Sequence, residues 1–210
     1  MKSPRPVVTL LCLWALCVLG AGLLPPAPAA SAAPLTFVGS LSGANEIPPA
    51  ATTGSGQTSV VLDPVANTIQ INVSFSGLVA PDIAAHIHCC LSSPFALANV
   101  GVATAIPAFP GFPLGVTAGT YSSQVFDLTQ ATIYNPAFVT AQGGIPQAEA
   151  ALEAGIMNGE SYLNVHSSTF PNGEIRSFLS AIPEPTGLVL LASGLIGFGL
   201  IPLRKRMTRS

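Results

Sequence analysis

The sequence predicts an all-β domain, an antiparallel sandwich or barrel carrying a short helical insert. Three observations predict it. Charged residues make up only 8% of the 210-residue chain, too few for the Glu-, Lys- and Arg-rich surfaces of long helices. Gly and Pro number 20 each, which supplies many turns. Between Thr68 and Ser76 the chain alternates strictly, Ile69, Ile71, Val73 and Phe75 apolar, Gln70, Asn72, Ser74 and Ser76 polar.

That alternating run is the clearest strand. Residues 57–62 form the strand before it, and Asp63-Pro64-Val65-Ala66-Asn67 supplies the turn of a hairpin. Further strands are expected over residues 35–41, 84–89, 100–105, 120–128, 162–166 and 174–181. Many short strands with frequent turns are the pattern of a sandwich or barrel. Residues 135–158 differ: Phe138, Ala148, Ala151, Leu152 and Ile156 recur at roughly helical spacing. One or two short helices are expected there, broken at Gly143-Gly144 and Pro146 and capping one end of the sandwich. In the rigid segment 106–113, Phe109 and Phe112 either form a recognition loop or fold down over an open edge of the core; the second reading is favoured.

The two ends are of another kind. Lys2 and Arg5 precede an apolar run from Val7 to Leu24 and then an Ala-rich zone. This is the order of a secretory signal peptide, with Ala30 and Ala32 as the A-x-A site and cleavage after Ala32. Residues 1–32 are therefore read as a signal peptide and 33–181 as the domain. Residues 182–210 are a tail. It holds Pro183-Glu184-Pro185, an apolar, Gly-rich run from Gly187 to Leu203 at the short limit for a membrane helix, and a basic end from Arg204. Those three parts, in that order, resemble the PEP-CTERM sorting signal of Gram-negative bacteria. The resemblance implies processing by an exosortase-type membrane protease. It also implies a precursor anchored by its C-terminal helix and a product at the cell surface or outside the cell.

With the ends set aside, charge is lopsided. Between Ala33 and Ile182 the sole base is Arg176, against eight acids, a net charge of −7. Nucleic-acid binding rests on Lys and Arg clusters, so it is excluded as a function class.

All three histidines fall in two short strings, His86-Ile87-His88-Cys89-Cys90 and Tyr162-Leu163-Asn164-Val165-His166. In a strand alternate residues share a face. With Ile87, Leu163 and Val165 facing the core, all three imidazoles face away from it, and they converge if the two strands are neighbours. H-x-H on a strand can give two imidazoles to Zn or Cu; His166, with Glu174 or the Cys89 thiolate nearby, could complete the site. The competing reading is that the histidines only bind backbone carbonyls and brace the sheet. Cys89-Cys90 has three readings: a vicinal disulfide closed in a turn, a ligand thiol, or two buried inert thiols. An oxidising compartment favours the disulfide.

Five ordered strings then resemble the CHRD (chordin-type) domain. They are Gly43-Ala-Asn45-Glu46-Ile-Pro48-Pro49, Ser76-Gly-Leu78, Ala85-His86-Ile87-His88, Tyr162-Leu-Asn164-Val-His166 and Phe170-Pro-Asn-Gly-Glu174-Ile-Arg176. The match spans about Pro34 to Ala181. Cys89-Cys90 stands where the family usually has Gly, and the helical insert is a second departure. The resemblance implies an Ig-like β-sandwich and little about activity.

The leading functional reading is a non-enzymatic, exported protein of the cell envelope or extracellular matrix that binds surface polysaccharide or an envelope protein. The alternative is a Zn- or Cu-binding, redox-related domain. A dinuclear dismutase-like site needs more than three histidines. No nucleophile elbow or base-and-orienter arrangement marks a hydrolase. Arg176 is expected to pair with an acid and fix the last strand. Asn45 and Glu46 are expected to bond backbone at the end of the first strand.

Overall fold

The computed structural model describes residues 33–183. The strands are β1 (Leu35–Ser42), β2 (Ser55–Asp63), β3 (Thr68–Ser76), β4 (Asp82–Cys89), β5 (Gly119–Ser122), β6 (Phe126–Asp127), β7 (Ser161–Ser167), β8 (Ile175–Phe178) and β9 (Ser180–Ala181). Ladder pairing joins them in one curled, nine-stranded antiparallel sheet, ordered β4-β7-β8-β1-β2-β3-β5, with β6 on β3 and β9 on β1. The class is all-β as expected. The pairing is one continuous sheet; among the described residues there is no second, separately bonded sheet of a sandwich.

The β2–β3 hairpin pairs Ser55 with Ser76 through to Asp63 with Thr68. Its turn is held by Asp63 Oδ1, which accepts from the N–H groups of Val65 and Ala66 at 3.0 and 2.9 Å. Asn67 takes the left-handed conformation that Asn tolerates there. Val60, Leu62, Ile69, Ile71, Val73 and Phe75 of this hairpin are buried with Phe37, Ile87, Leu163, Val165 and Ile175 in a single core. Each such side chain contributes on the order of 2 kcal/mol by leaving water.

Some of the expected strands are modified. The strand expected over 100–105 appears only as isolated bridges at Val102 and Thr104. Yet residues 101–109 still cover the free edge of β4: Cys89 N–H donates to Gly101 O, Ala103 N–H to Ile87 O, and Ala85 N–H to Pro107 O. The prolines that follow remove the donors a regular ladder needs. The strand expected over 120–128 is split into β5 and β6. Phe109 and Phe112 are buried, and Phe112 stacks on Phe75 with centroids 5.8 Å apart, so these rings complete the core, in line with the favoured reading.

The insert forms two helices, α1 (Pro136–Gln142) and α2 (Ile145–Met157), separated at Gly143-Gly144. Asn135 caps α1 by accepting from Ala137 N–H. Gly143, at φ 94°, ends it in the left-handed conformation that favours glycine. Ala148, Leu152 and Ile156 line one stripe of α2 and are fully buried, and α2 packs on β7 and β4 rather than at one end. Among the described residues no helix is long and apolar enough to cross a membrane. The signal peptide with Ala30 and Ala32, and the tail with Glu184, Pro185 and its apolar run, lie outside the described residues; Pro183 is the last of them.

Candidate metal centre

Strand pairing decides whether the histidines meet. β4 pairs with β7 so that His86 lies opposite Asn164, His88 opposite Tyr162, and Ala84 opposite His166. Directly paired residues share a face. His166 therefore stands diagonal to His86, beside the small Ala84 side chain. The ring centroids are 4.6 Å apart for His86 and His166, 4.8 Å for His86 and His88, and 5.8 Å for His88 and His166. One ring nitrogen of each histidine lies within 4.8 Å of the other two.

The tautomer follows from the partners. Nδ1 of His86 sits 3.1 Å from Pro107 O, Nδ1 of His88 2.7 Å from Val100 O, and Nδ1 of His166 3.1 Å from Pro171 O. A backbone carbonyl only accepts, so each Nδ1 carries the hydrogen and each Nε2 keeps its lone pair. All three Nε2 atoms are buried without a hydrogen-bond partner. Burial depresses the basicity of every ring. His86 falls to about 3, with repulsion from His166 and His88 adding to burial, and His88 falls to about 4. His166 is lowered too, again chiefly by burial. The cluster is thus three neutral imidazoles at neutral pH, packed together, each with an unpartnered Nε2 lone pair.

Carbonyl-anchored Nδ1–H groups are the usual second support of metal-binding histidines, because they fix ring orientation. The residues present therefore fit Zn or Cu, both of which bind imidazole nitrogen.

The side chains around the cluster form a buried polar system. Arg176 pairs with Glu46, Nη2 to Oε2 at 3.0 Å, with both side chains almost wholly buried. The guanidinium also donates to Ala98 O at 3.0 Å and to Asn99 Oδ1, and it lies 3.9 Å over the Tyr162 ring. That ring stacks on His88. Asn164 Nδ2 donates to Glu46 Oε2 at 3.5 Å. Burial raises the Glu46 carboxyl although Arg176 pulls it down. Gly173, at φ 128°, lets the loop after β7 pass close by: a Cβ there would stand 2.5 Å from Asn164 Nδ2 and 2.7 Å from Glu46 Oε1.

Other residues singled out in the sequence have different places. Cys89 points to the face opposite His86 and His88, as its odd position on the strand dictates. Its sulfur is bonded to Cys90 and faces α2, where Cys89 Sγ lies 3.6 Å from Ala151 O. It is not among the clustered ligands, and the pair forms the vicinal disulfide. Glu174 is also outside the cluster; its Oε1 accepts from Thr52 Oγ1 and from Val79 N–H. The acid that fixes Arg176 is Glu46, so Glu46 does not serve as a backbone acceptor. Asn45 does bond backbone, donating to Ser40 O and Arg176 O. Pro48 and Pro49 line a cleft of about 230 Å³ with Phe170, Pro171 and Glu46.

Sequence reasoning missed the three carbonyl anchors, the Asn99 contact and the stacking role of Tyr162. The Ile106-Pro107 and Phe170-Pro171 pairs were the available signal, since proline-stiffened loops hold carbonyls at fixed positions.

The fold and cluster together define a β-rich domain that buries a tris-histidine site on one face of its sheet. The CHRD domain family model matches residues 37–179, and the chain belongs to that family. This membership accords with an extracellular or secreted protein domain. No curated protein and no solved structure matches the chain.

Proposed function

We propose that this protein is an exported, non-enzymatic, metal-binding protein of the cell envelope, whose domain holds one Zn or Cu ion on His86, His88 and His166. One observation carries the metal reading: three buried imidazoles cluster with one ring nitrogen of each within 4.8 Å of the others, every Nε2 is unpartnered, and each Nδ1 is tied to a carbonyl. Histidines that merely braced the sheet would have no need to share one spot. Isothermal titration with Zn and Cu tests it. Stoichiometric uptake by the wild type and its loss in the His86→Ala, His88→Ala double variant are expected; equal traces for the two proteins refute it.

The sorting part rests on the terminal sequences. Cleavage after Ala32 and removal of the tail by an exosortase-type enzyme predict a mature mass lacking both ends. An intact segment from Arg204 to Ser210 in the mature protein refutes it.

A second reading, binding of surface polysaccharide, is favoured by one surface. An open cleft across β1, β2, β3 and β5 is lined by the uncharged groups of Ser40, Ser55, Gln57, Ser74, Ser76 and Thr120. Hydroxyl- and amide-rich, charge-free walls suit a neutral polyol. Retention on the producer's own exopolysaccharide supports this reading, and its absence counts against it.

A further inference from the structure

We propose that the His86–His88–His166 cluster is a copper(I) site, holding the singly charged cuprous ion in preference to Zn(II) and Cu(II). This rests on the metal-site reading above and deepens it.

The first argument is charge. The cluster offers three neutral imidazoles and no anion among the described residues. Cys89 is spent in its disulfide, and Glu174 Oε1 is bound by Thr52 and Val79. The nearby carboxylate of Glu46 is already neutralised by Arg176 at 3.0 Å. An ion here keeps its whole charge in a buried setting. The cost of burying a charge grows with its square, so a divalent ion pays about four times what a monovalent ion pays.

The second argument is the position of the guanidinium. Arg176 lies 3.9 Å over the Tyr162 ring, and that ring stacks on His88 with centroids 4.7 Å apart. The cation side of the Glu46–Arg176 pair thus adjoins the histidine stack. What remains of its repulsion after partial compensation by Glu46 is twice as large for a divalent ion as for a monovalent one.

The third argument is geometry. Three imidazoles on one face of two adjacent strands supply three ligands and no fourth among the described residues. Cu(II) seeks square-planar or tetragonal surroundings. Cu(I), with a filled d shell, is content with three nitrogens. Zn(II) in a three-histidine site takes a fourth ligand, usually water. Here the three rings are only 5%, 8% and 6% exposed.

The test uses the full-length chain under anaerobic conditions, with Cu(I), Cu(II) and Zn(II) each competed against a chromophoric chelator of known affinity. One equivalent of Cu(I) per chain is expected, bound at least tenfold tighter than either divalent ion. For copper, each tenfold of that preference raises the potential of the bound couple by 59 mV. Zn(II) or Cu(II) binding as tightly as Cu(I) overturns the proposal and leaves the metal-site reading standing. No binding of any of the three ions overturns both. X-ray absorption at the copper edge of the wild-type protein gives a readout that needs no variant: three nitrogen scatterers are expected, and a sulfur scatterer refutes the site.

Discussion

The rings of His88 and Tyr162 stack with centroids 4.7 Å apart and planes 10° from parallel. Tyr162 also acts on His88 by a second route. Its hydroxyl accepts from Val100 N–H at 3.2 Å, and Val100 O holds His88 Nδ1 at 2.7 Å. Tyr162→Phe keeps the stack and removes the first link of that chain. It is expected to cost about 1 kcal/mol in urea unfolding. Metal affinity should fall by roughly tenfold, the range seen when groups that orient a ligand are lost. Unchanged affinity by titration would remove Tyr162 from the positioning role.

The Glu46–Arg176 pair gives a sharper stability prediction. Glu46→Ala leaves a buried guanidinium without its counter-ion, and breaking a buried pair on one side costs about 3–5 kcal/mol. Chemical denaturation is the measurement, and a loss below about 1 kcal/mol would show that water reaches the site.

Gly173→Ala tests the close approach of the loop. The residue has φ 128°, and the added methyl would stand 2.5 Å from Asn164 Nδ2. Strain and overpacking together are expected to cost about 2–4 kcal/mol. Gly101→Ala, where nothing lies within 4 Å of the new methyl, is the control and should be near neutral.

The histidines predict a pH dependence for the metal-free protein. Their folded-state basicity lies below the ordinary value of 6.5, at about 3 for His86 and about 4 for His88. The unfolded chain therefore takes up protons first as pH falls. The stabilisation is complete above about 6.5 and is lost progressively toward pH 4 and below. His88 alone accounts for on the order of 3 kcal/mol. Glu46, raised by burial, works in the opposite direction and flattens the acid end. The urea midpoint should drop between pH 7 and pH 4.5; a flat or rising midpoint contradicts it. Added metal should raise the midpoint at pH 7, keep that effect at pH 5 and lose it only toward pH 4 and below, where protons begin to compete for the Nε2 atoms of the folded site.

Local pattern carried the parts of this structure that depend on local pattern. β3 runs from Thr68 to Ser76 in sequence and in structure, because strict alternation of apolar and polar residues has one physical solution. Strand parity alone placed His86, His88 and His166 on the face away from Ile87, Leu163 and Val165. What parity could not supply was the neighbour. The pairing of β4 with β7, and the diagonal of His166 to His86, depend on contacts far apart in sequence. Nor could it show that both faces are buried. That comes from residues 101–109 along the edge of β4 and from the loop around Pro171, neither of which has a periodic signature. The partner of Arg176 was equally illegible: Glu174 was closer in sequence and on the same strand face, yet Glu46, from the far end of the domain, took the position. For Cys89 the parity rule already pointed away from the histidines.

The scarcity of bases has a practical corollary. From Ala33 to Ile182 there is no lysine, and the single arginine is 1% exposed beneath its own ion pair. A trypsin-like protease, which cuts after Lys or Arg, finds one bond in the folded domain, and that bond opens only when β8 leaves the sheet. Among extracellular proteases of that specificity the domain is close to invisible. An amine-reactive label would likewise find no side-chain amine in it, so a protein matured at Ala32 would be marked at its new N-terminus.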